Sequence, residues 1–421
     1  MADETWLFGP FAQIVTMDGL PPTGPIRNEG LMVVEGGGLL LTEGTVRRIL
    51  DEAEFRRHKK GASEHRIITV EEDTVLLPGL VDSHTHMCYA GSRLEDYLAM
   101  QSGLDYAEVA RRGGGILSTV RATRAAGQKE LARLLALRAR EHLARGITTA
   151  EVKSGYGLDA RTEIKMLRAI RTVDRSRGSH PRLVPTFLAA HALPFGERSE
   201  KRYLSSMIPV LKQVKDEALA ERVDAWVDRG AFSSGPSIAF LEKAKRLGFD
   251  ITIHADQFEV GGSDVAAEVG AVSADHLELS GESEMSKLRS KGVAATVLPG
   301  SSIGLGGPFA RARMMLDAGL SLVIASDWNP GTAPSGDLLT QAAILSADRR
   351  LTVAETLAGI TCRAARVLGR PDGGVIREGG VADLVGFPCK RFEEIVYRQG
   401  ALRPSVVMLG GNLVDICNRG V

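Results

Sequence analysis

From Leu80 to about Asn329 the chain alternates short apolar runs with longer amphipathic stretches, and this rhythm confines it to folds built from repeated β-α units. The strand candidates are LVDSHTHM, TTAEVKSG, RLVPTFLAAH, VDAWVD, DITIHAD, AVSADHLE, VAATVLPGS and SLVIASDWN, eight in all. Between them lie helical patterns such as KELARLLALRAREHLARG, ARTEIKMLRAIRTVDRS and SIAFLEKAKRLG, the last closing on the glycine expected just past a helix C-terminus. Eight such units suggest a closed (β/α)8 barrel, an α/β fold, although a doubly wound open sheet uses the same local signals.

The chain ends read differently. Trp6 to about Val75 contains LMVVEGGGLLL, TVRRIL and HRIITV, and the tail contains ADLVGF and SVVMLGGNLV, all short, β-rich and punctuated by glycine. Strands too short to bury a core separately gain by pairing with each other. The expected organisation is therefore a distorted (β/α)8 TIM barrel over 78–377, with a smaller β-sandwich-like domain built from both ends, 1–77 and 378–421.

Lys+Arg and Asp+Glu both total 52, so the net charge is zero and no basic block offers a nucleic-acid footprint or an anionic-membrane contact. A small-molecule partner is expected. Cys88, Cys362, Cys389 and Cys417 are scattered and form no CxxC pair, which argues against a zinc ribbon or a secreted disulfide framework. With no leader-like N-terminus and no apolar run long enough to span a bilayer, the expected location is the cytosol.

Polar residues collect at the C-terminal ends of the strand candidates. In LVDSHTHM, alternation along a strand turns His84 and His86 to the same side, so two imidazoles converge. His191 ends the third strand candidate, His254 the fifth, His276 the sixth and Asp327 the eighth. Five of the nine histidines thus fall where a barrel would gather them at one mouth. Neutral imidazole is a common ligand for zinc and iron, so the pattern points to a metal-dependent enzyme.

PGLVDSHTH, IHAD, SADHLE and ASDWNPG are arranged as in the amidohydrolase superfamily, whose members are metal-dependent barrels with a split β domain. GSR at 91–93, GGGI at 113–116, TTAEVKSGYGLD at 148–159, PTFLAAHALP at 185–194, AAEVGAVSADHLE at 266–278 and DWNPGTAP at 327–334 narrow the resemblance to the imidazolonepropionase family. The resemblance implies hydrolytic opening of 4-imidazolone-5-propionate to N-formimino-L-glutamate in histidine degradation. It also implies a homodimer and one zinc or iron ion per chain, with His84, His86, His254 and Asp327 as ligands. Three neutral nitrogens and one carboxylate would leave room for a water whose pKa the cation lowers.

By the same resemblance His276 orients or deprotonates that water, and Asp327 passes a proton to the departing ring nitrogen. Arg93 suits a paired contact with the propionate carboxylate. Tyr156 and His191 are expected to contact the substrate, with Asn329, Gly331 and Thr332 on the product side. Gln257 stands where related deaminases place a proton-transferring glutamate. An amide cannot transfer a proton in that way, so deaminase chemistry is disfavoured. Lys153, on the second strand candidate, is expected to be structural, with bridging of a second metal as the alternative. The competing readings are an amidohydrolase acting on another cyclic amide or deaminating an aromatic base, and a non-catalytic binding protein that kept the barrel.

Overall fold

The computed structural model describes residues 5–61, 66–104, 106–176 and 180–416. Its central sheet has eight strands: β1 (Leu80–Asp82), β2 (Ile147–Lys153), β3 (Arg182–Ala190), β4 (Arg222–Val227), β5 (Asp250–Ala255), β6 (Ser273–His276), β7 (Ala294–Val297) and β8 (Leu322–Ile324). Each pairs in parallel with the next in sequence order. A doubly wound sheet reverses its strand order at a switch point; this sheet never does. The apolar runs are continuous because inner parallel strands are buried on both faces.

The barrel closes beyond the ends of β1 and β8. Thr85 and Trp328 form a parallel bridge. The Asp327 N–H donates to the His84 carbonyl at 3.0 Å, and the His86 N–H to the Trp328 carbonyl at 2.9 Å. Below this bridge the ladder is replaced by the fully buried Asp82 carboxylate, which accepts from the Ser326 N–H at 3.0 Å, from the Ser326 hydroxyl, and from His142 Nε2 at 2.9 Å. His84, His86 and Asp327 therefore stand just past their strands, not on the strand ends as the sequence pattern suggested, because a side-chain staple interrupts the pairing there.

The helices follow local signals. Asp159 caps Ala160–Arg175 by accepting from the Thr162 N–H at 2.8 Å. Ser234–Arg246 ends before Gly248, whose φ of +80° turns the chain into β5.

The two chain ends interleave in a six-stranded sheet. Leu384–Pro388 runs antiparallel to Thr74–Pro78, which pairs on its other side with Gln13–Val15. A second, four-stranded sheet of Thr5–Phe8, Gly38–Thr42, Thr45–Leu50 and Arg66–Ile68 comes from the N-terminal part alone. Phe8, Leu39 and Val46 share one apolar cluster with Leu76, Leu384 and Met408, so both ends contribute to one core. Thr74–Pro78 leads through Gly79 directly into β1.

Candidate active site

Three imidazoles and a carboxylate converge at the C-terminal mouth. His86 Nε2 lies 3.2 Å from His84 Nε2 and 3.3 Å from His254 Nε2, and the three ligand atoms all fall within 4.8 Å of one another. Asp327 Oδ1 is 3.6 Å from His84 Nε2 and 3.4 Å from His86 Nε2. Asp327 has a left-handed backbone, φ +51°, a strained conformation for a non-glycine residue that turns its carboxylate into the cluster.

The far sides of two rings are fixed by carboxylates. His84 Nδ1 meets Asp275 Oδ2 at 2.6 Å, and His254 Nδ1 meets Asp224 Oδ1 at 3.1 Å. Each carboxylate holds the ring proton on Nδ1 and leaves an Nε2 lone pair facing the others. Burial drives the His84 and His86 pKa values well below the ordinary histidine range and that of His254 to about 4. Neutral nitrogens with opposed lone pairs repel unless a cation lies among them. Ligands bonded at about 2.0–2.1 Å in a tetrahedron are separated by ~3.3 Å, close to the spacing here. The donor set fits a zinc or iron ion.

A cavity of about 150 Å³ opens over this cluster. Every substrate or catalytic residue expected from the sequence lines it: Arg93, Tyr156, His191, Gln257, His276, Asp327, Asn329, Gly331 and Thr332. His86 and His254 reach its wall, while His84 lies beneath.

His276 ends β6 with φ +85°, and Leu277 follows at +66°. This double left-handed turn sets Glu278 against its own neighbour, with Glu278 Oε1 3.4 Å from His276 Nδ1. Burial pulls the His276 pKa down, but Glu278, Asp327 and Asp275 outweigh it and lift it to about 9. A dication on the adjacent donors acts in the opposite direction.

His191 follows β3, and its Nδ1 donates to the Gly155 carbonyl at 3.0 Å, leaving Nε2 as an acceptor. Burial, then His254, lowers its pKa to about 3, so it is neutral. Gly155 has φ +105°, and a Cβ there would stand 2.9 Å from His191 Nδ1; only glycine lets EVKSGYG approach this ring.

Arg93 Nε donates to Asp96 Oδ2, which also accepts from the Gly115 N–H at 2.9 Å. GGGI is thus a tight loop tied to the arginine's partner. The guanidinium borders Gly331, where an added Cβ would come within 3.3 Å of Nη1. Asn329 Nδ2 donates to Asp327 Oδ2 at 3.0 Å, and Asn329 Oδ1 accepts from the Gly331 and Thr332 N–H groups, both at 2.8 Å. Gln257 Nε2 donates to Ser301 Oγ at 3.0 Å.

Sequence reasoning missed Asp224, Asp275 and Glu278. Their signal was present: carboxylates at buried positions of otherwise apolar strands, or one turn past them, need partners. Trp226, Phe258, Ile116, Ser301 and Leu305 also line the cavity, and nothing in their local pattern separates them from core residues.

A family model described as an amidohydrolase family matches residues 108–414. The imidazolonepropionase of Symbiobacterium thermophilum is 38% identical over 413 residues, 96% of each chain. That of Bacillus cytotoxicus is 37% identical over 409 residues, 95% of this chain and 94% of the relative. Among solved structures, a zinc-bound adenosine deaminase from Xanthomonas campestris aligns with a TM-score of 0.69 at 19% identity, covering 97% of this chain and 92% of that one. The ochratoxinase of A. niger aligns at 0.68 and 16% identity, covering 98% and 95%. These two likenesses concern the fold.

Proposed function

The chain belongs to the imidazolonepropionase family of the amidohydrolases, hydrolases of a cyclic amide C–N bond in histidine degradation, and we propose how its own residues divide that reaction. The substrate is 4-imidazolone-5-propionate and the product N-formimino-L-glutamate. The observation that carries the reading is the convergence of four metal-type donors, His276 and Arg93 on one small cavity.

His84, His86, His254 and Asp327 would hold one zinc or iron ion. Such an ion, when bound, lowers the pKa of an adjacent water and polarises a carbonyl. His276, with Nδ1 turned to Glu278, presents Nε2 to take the proton of the attacking water and then to donate to the developing oxyanion. The water oxygen bonds to the ring carbonyl carbon, the adjacent C–N bond breaks, and the nitrogen must gain a proton. Asp327 Oδ2, held by Asn329, would take the second proton of the attacking water from the added hydroxyl and hand it to that nitrogen.

Arg93 donates Nε to Asp96 and would turn its guanidinium to a paired contact with the propionate. His191 Nε2 accepts from a ring N–H, Tyr156 packs beside it, and the Gln257 amide contacts the ring. Asn329, Gly331 and Thr332 form the wall that meets the opened product. A cytoplasmic homodimer completes the reading. The location is supported by the free, buried Cys88, Cys362 and Cys389, which suit a reducing compartment, and the homodimer rests on the family resemblance alone.

The deciding experiment follows the imidazolone absorbance and ammonia release together on metal-replete protein. Loss of absorbance without ammonia is expected. Ammonia released in step with turnover would instead assign deaminase chemistry.

A further inference from the structure

Lys153 on β2 is completely buried and lies outside the cavity lining. Its Nζ sits 2.8 Å from the Glu151 carboxylate and 2.7 Å from Asp224 Oδ2. The other Asp224 oxygen, Oδ1, is the one 3.1 Å from His254 Nδ1. Glu151 accepts from the Thr186 hydroxyl and has Arg222 Nε 3.8 Å away. Two cations and two carboxylates thus balance inside the barrel, in a line from β2 through β4 that ends on a histidine of β5.

A buried ammonium is tolerated only where it is paired, and here Nζ faces a single oxygen of Asp224. One oxygen of Asp224 is committed to Lys153, so the other can point only toward His254. We infer that Lys153 is a positioning residue of the metal centre: its ammonium locks the Asp224 carboxylate in the orientation that keeps the His254 proton on Nδ1 and turns Nε2 toward the cation. The inference rests on the four-donor reading of the site. It gives Lys153 work beyond stabilising the core.

The test is zinc binding by the full chain, measured in competition with a chelator. Lys153→Met removes the ammonium while keeping the length of the side chain. Lys153→Met combined with Glu151→Gln also removes one negative charge, leaving Arg222 and Asp224 in balance. The double variant should keep the native circular dichroism spectrum yet bind zinc about 10- to 100-fold more weakly, the usual effect of losing an outer partner of a ligand. A double variant with native zinc affinity would show that Lys153 only neutralises charge, and would overturn the inference alone. Native protein that binds no zinc would overturn the four-donor reading and this inference with it. Should neither variant fold, nitrogen-15 spectra of the metal-free native protein decide: an Nδ1–H tautomer of His254 supports the inference, and an Nε2–H tautomer overturns it.

Discussion

His84 Nδ1 and Asp275 Oδ2 lie 2.6 Å apart, joining the segment after β1 to β6 across the barrel. Asp275 also accepts from Ser273 Oγ at 2.6 Å, so its carboxylate is held from two sides. Asp275→Asn should leave the barrel folded but allow the amide to present either its oxygen or its nitrogen to His84. Metal affinity is expected to fall about 10- to 100-fold. Chelator competition reads this directly, and an affinity equal to the native value would remove Asp275 from the support of the metal centre.

His276 and Glu278 allow binding and turnover to be separated. His276→Ala should retain the metal, because none of the four proposed ligands is touched, while the rate falls by about 10²-fold or more. Glu278→Gln should fall between this variant and native, since an amide can still meet Nδ1 but without charge. Metal content measured beside kcat checks the assignment. Loss of metal by His276→Ala, as severe as that caused by His254→Ala, would move His276 into the ligand set.

Proton linkage gives a third expectation. Burial raises Asp327 and Asp275 to about 7, while at His276 the downward pull of burial is overcome by Glu278, Asp327 and Asp275, giving about 9. All three bind protons more tightly folded than unfolded, where the values are about 3.9 and 6.5. Their stabilisation is full below the unfolded values and lost as pH rises through the folded ones; above about pH 6.5, where the depressed His84, His86, His191 and His254 are neutral folded and unfolded alike, metal-free protein should therefore weaken up to about pH 9. Ligation needs Asp327 deprotonated, so metal binding strengthens over the same direction. The gap in Tm between zinc-loaded and chelated protein should widen from about pH 6 to about pH 8.5, with metal analysis near one ion per chain. A gap that narrows with pH would contradict the assigned ligands.

The legible part of this molecule was the part governed by local period and by residue type. Alternating apolar runs located all eight barrel strands, and the histidines at their ends located the mouth. The seam was not legible. Asp82 reads as one more strand residue, and its role depends on Ser326 and His142, which are remote in sequence and meet it only when the barrel closes. The outer carboxylates Asp224 and Asp275 were missed for a related reason: a buried acid announces that it has a partner, but the sequence does not say which histidine. Arg93 could be matched to the propionate from its side-chain chemistry, yet its tie to Asp96 required the helix Leu94–Gln101 to bring that carboxylate back.

That tie sharpens the expectation for selectivity. Arg93 is buried, with Nε engaged by Asp96 and Nη1 beside Gly331 at the cavity wall. A guanidinium can serve both partners at once, whereas an ammonium at this position must choose between Asp96 and the substrate. Arg93→Lys should therefore be poorly tolerated despite keeping the charge. Arg93→Ala should cost roughly 3–5 kcal/mol in transition-state binding, read from kcat/KM. An imidazolone lacking the propionate should suffer a comparable loss with native enzyme but only a small further loss with Arg93→Ala, because the contact is already gone. Asp96→Asn gives an independent check: it should raise KM for the full substrate more than for the truncated one, since it loosens the arginine without touching the ring site. Equal processing of full and truncated substrates by native enzyme would show that Arg93 does not anchor the carboxylate, and would favour a hydrolase of a different cyclic amide.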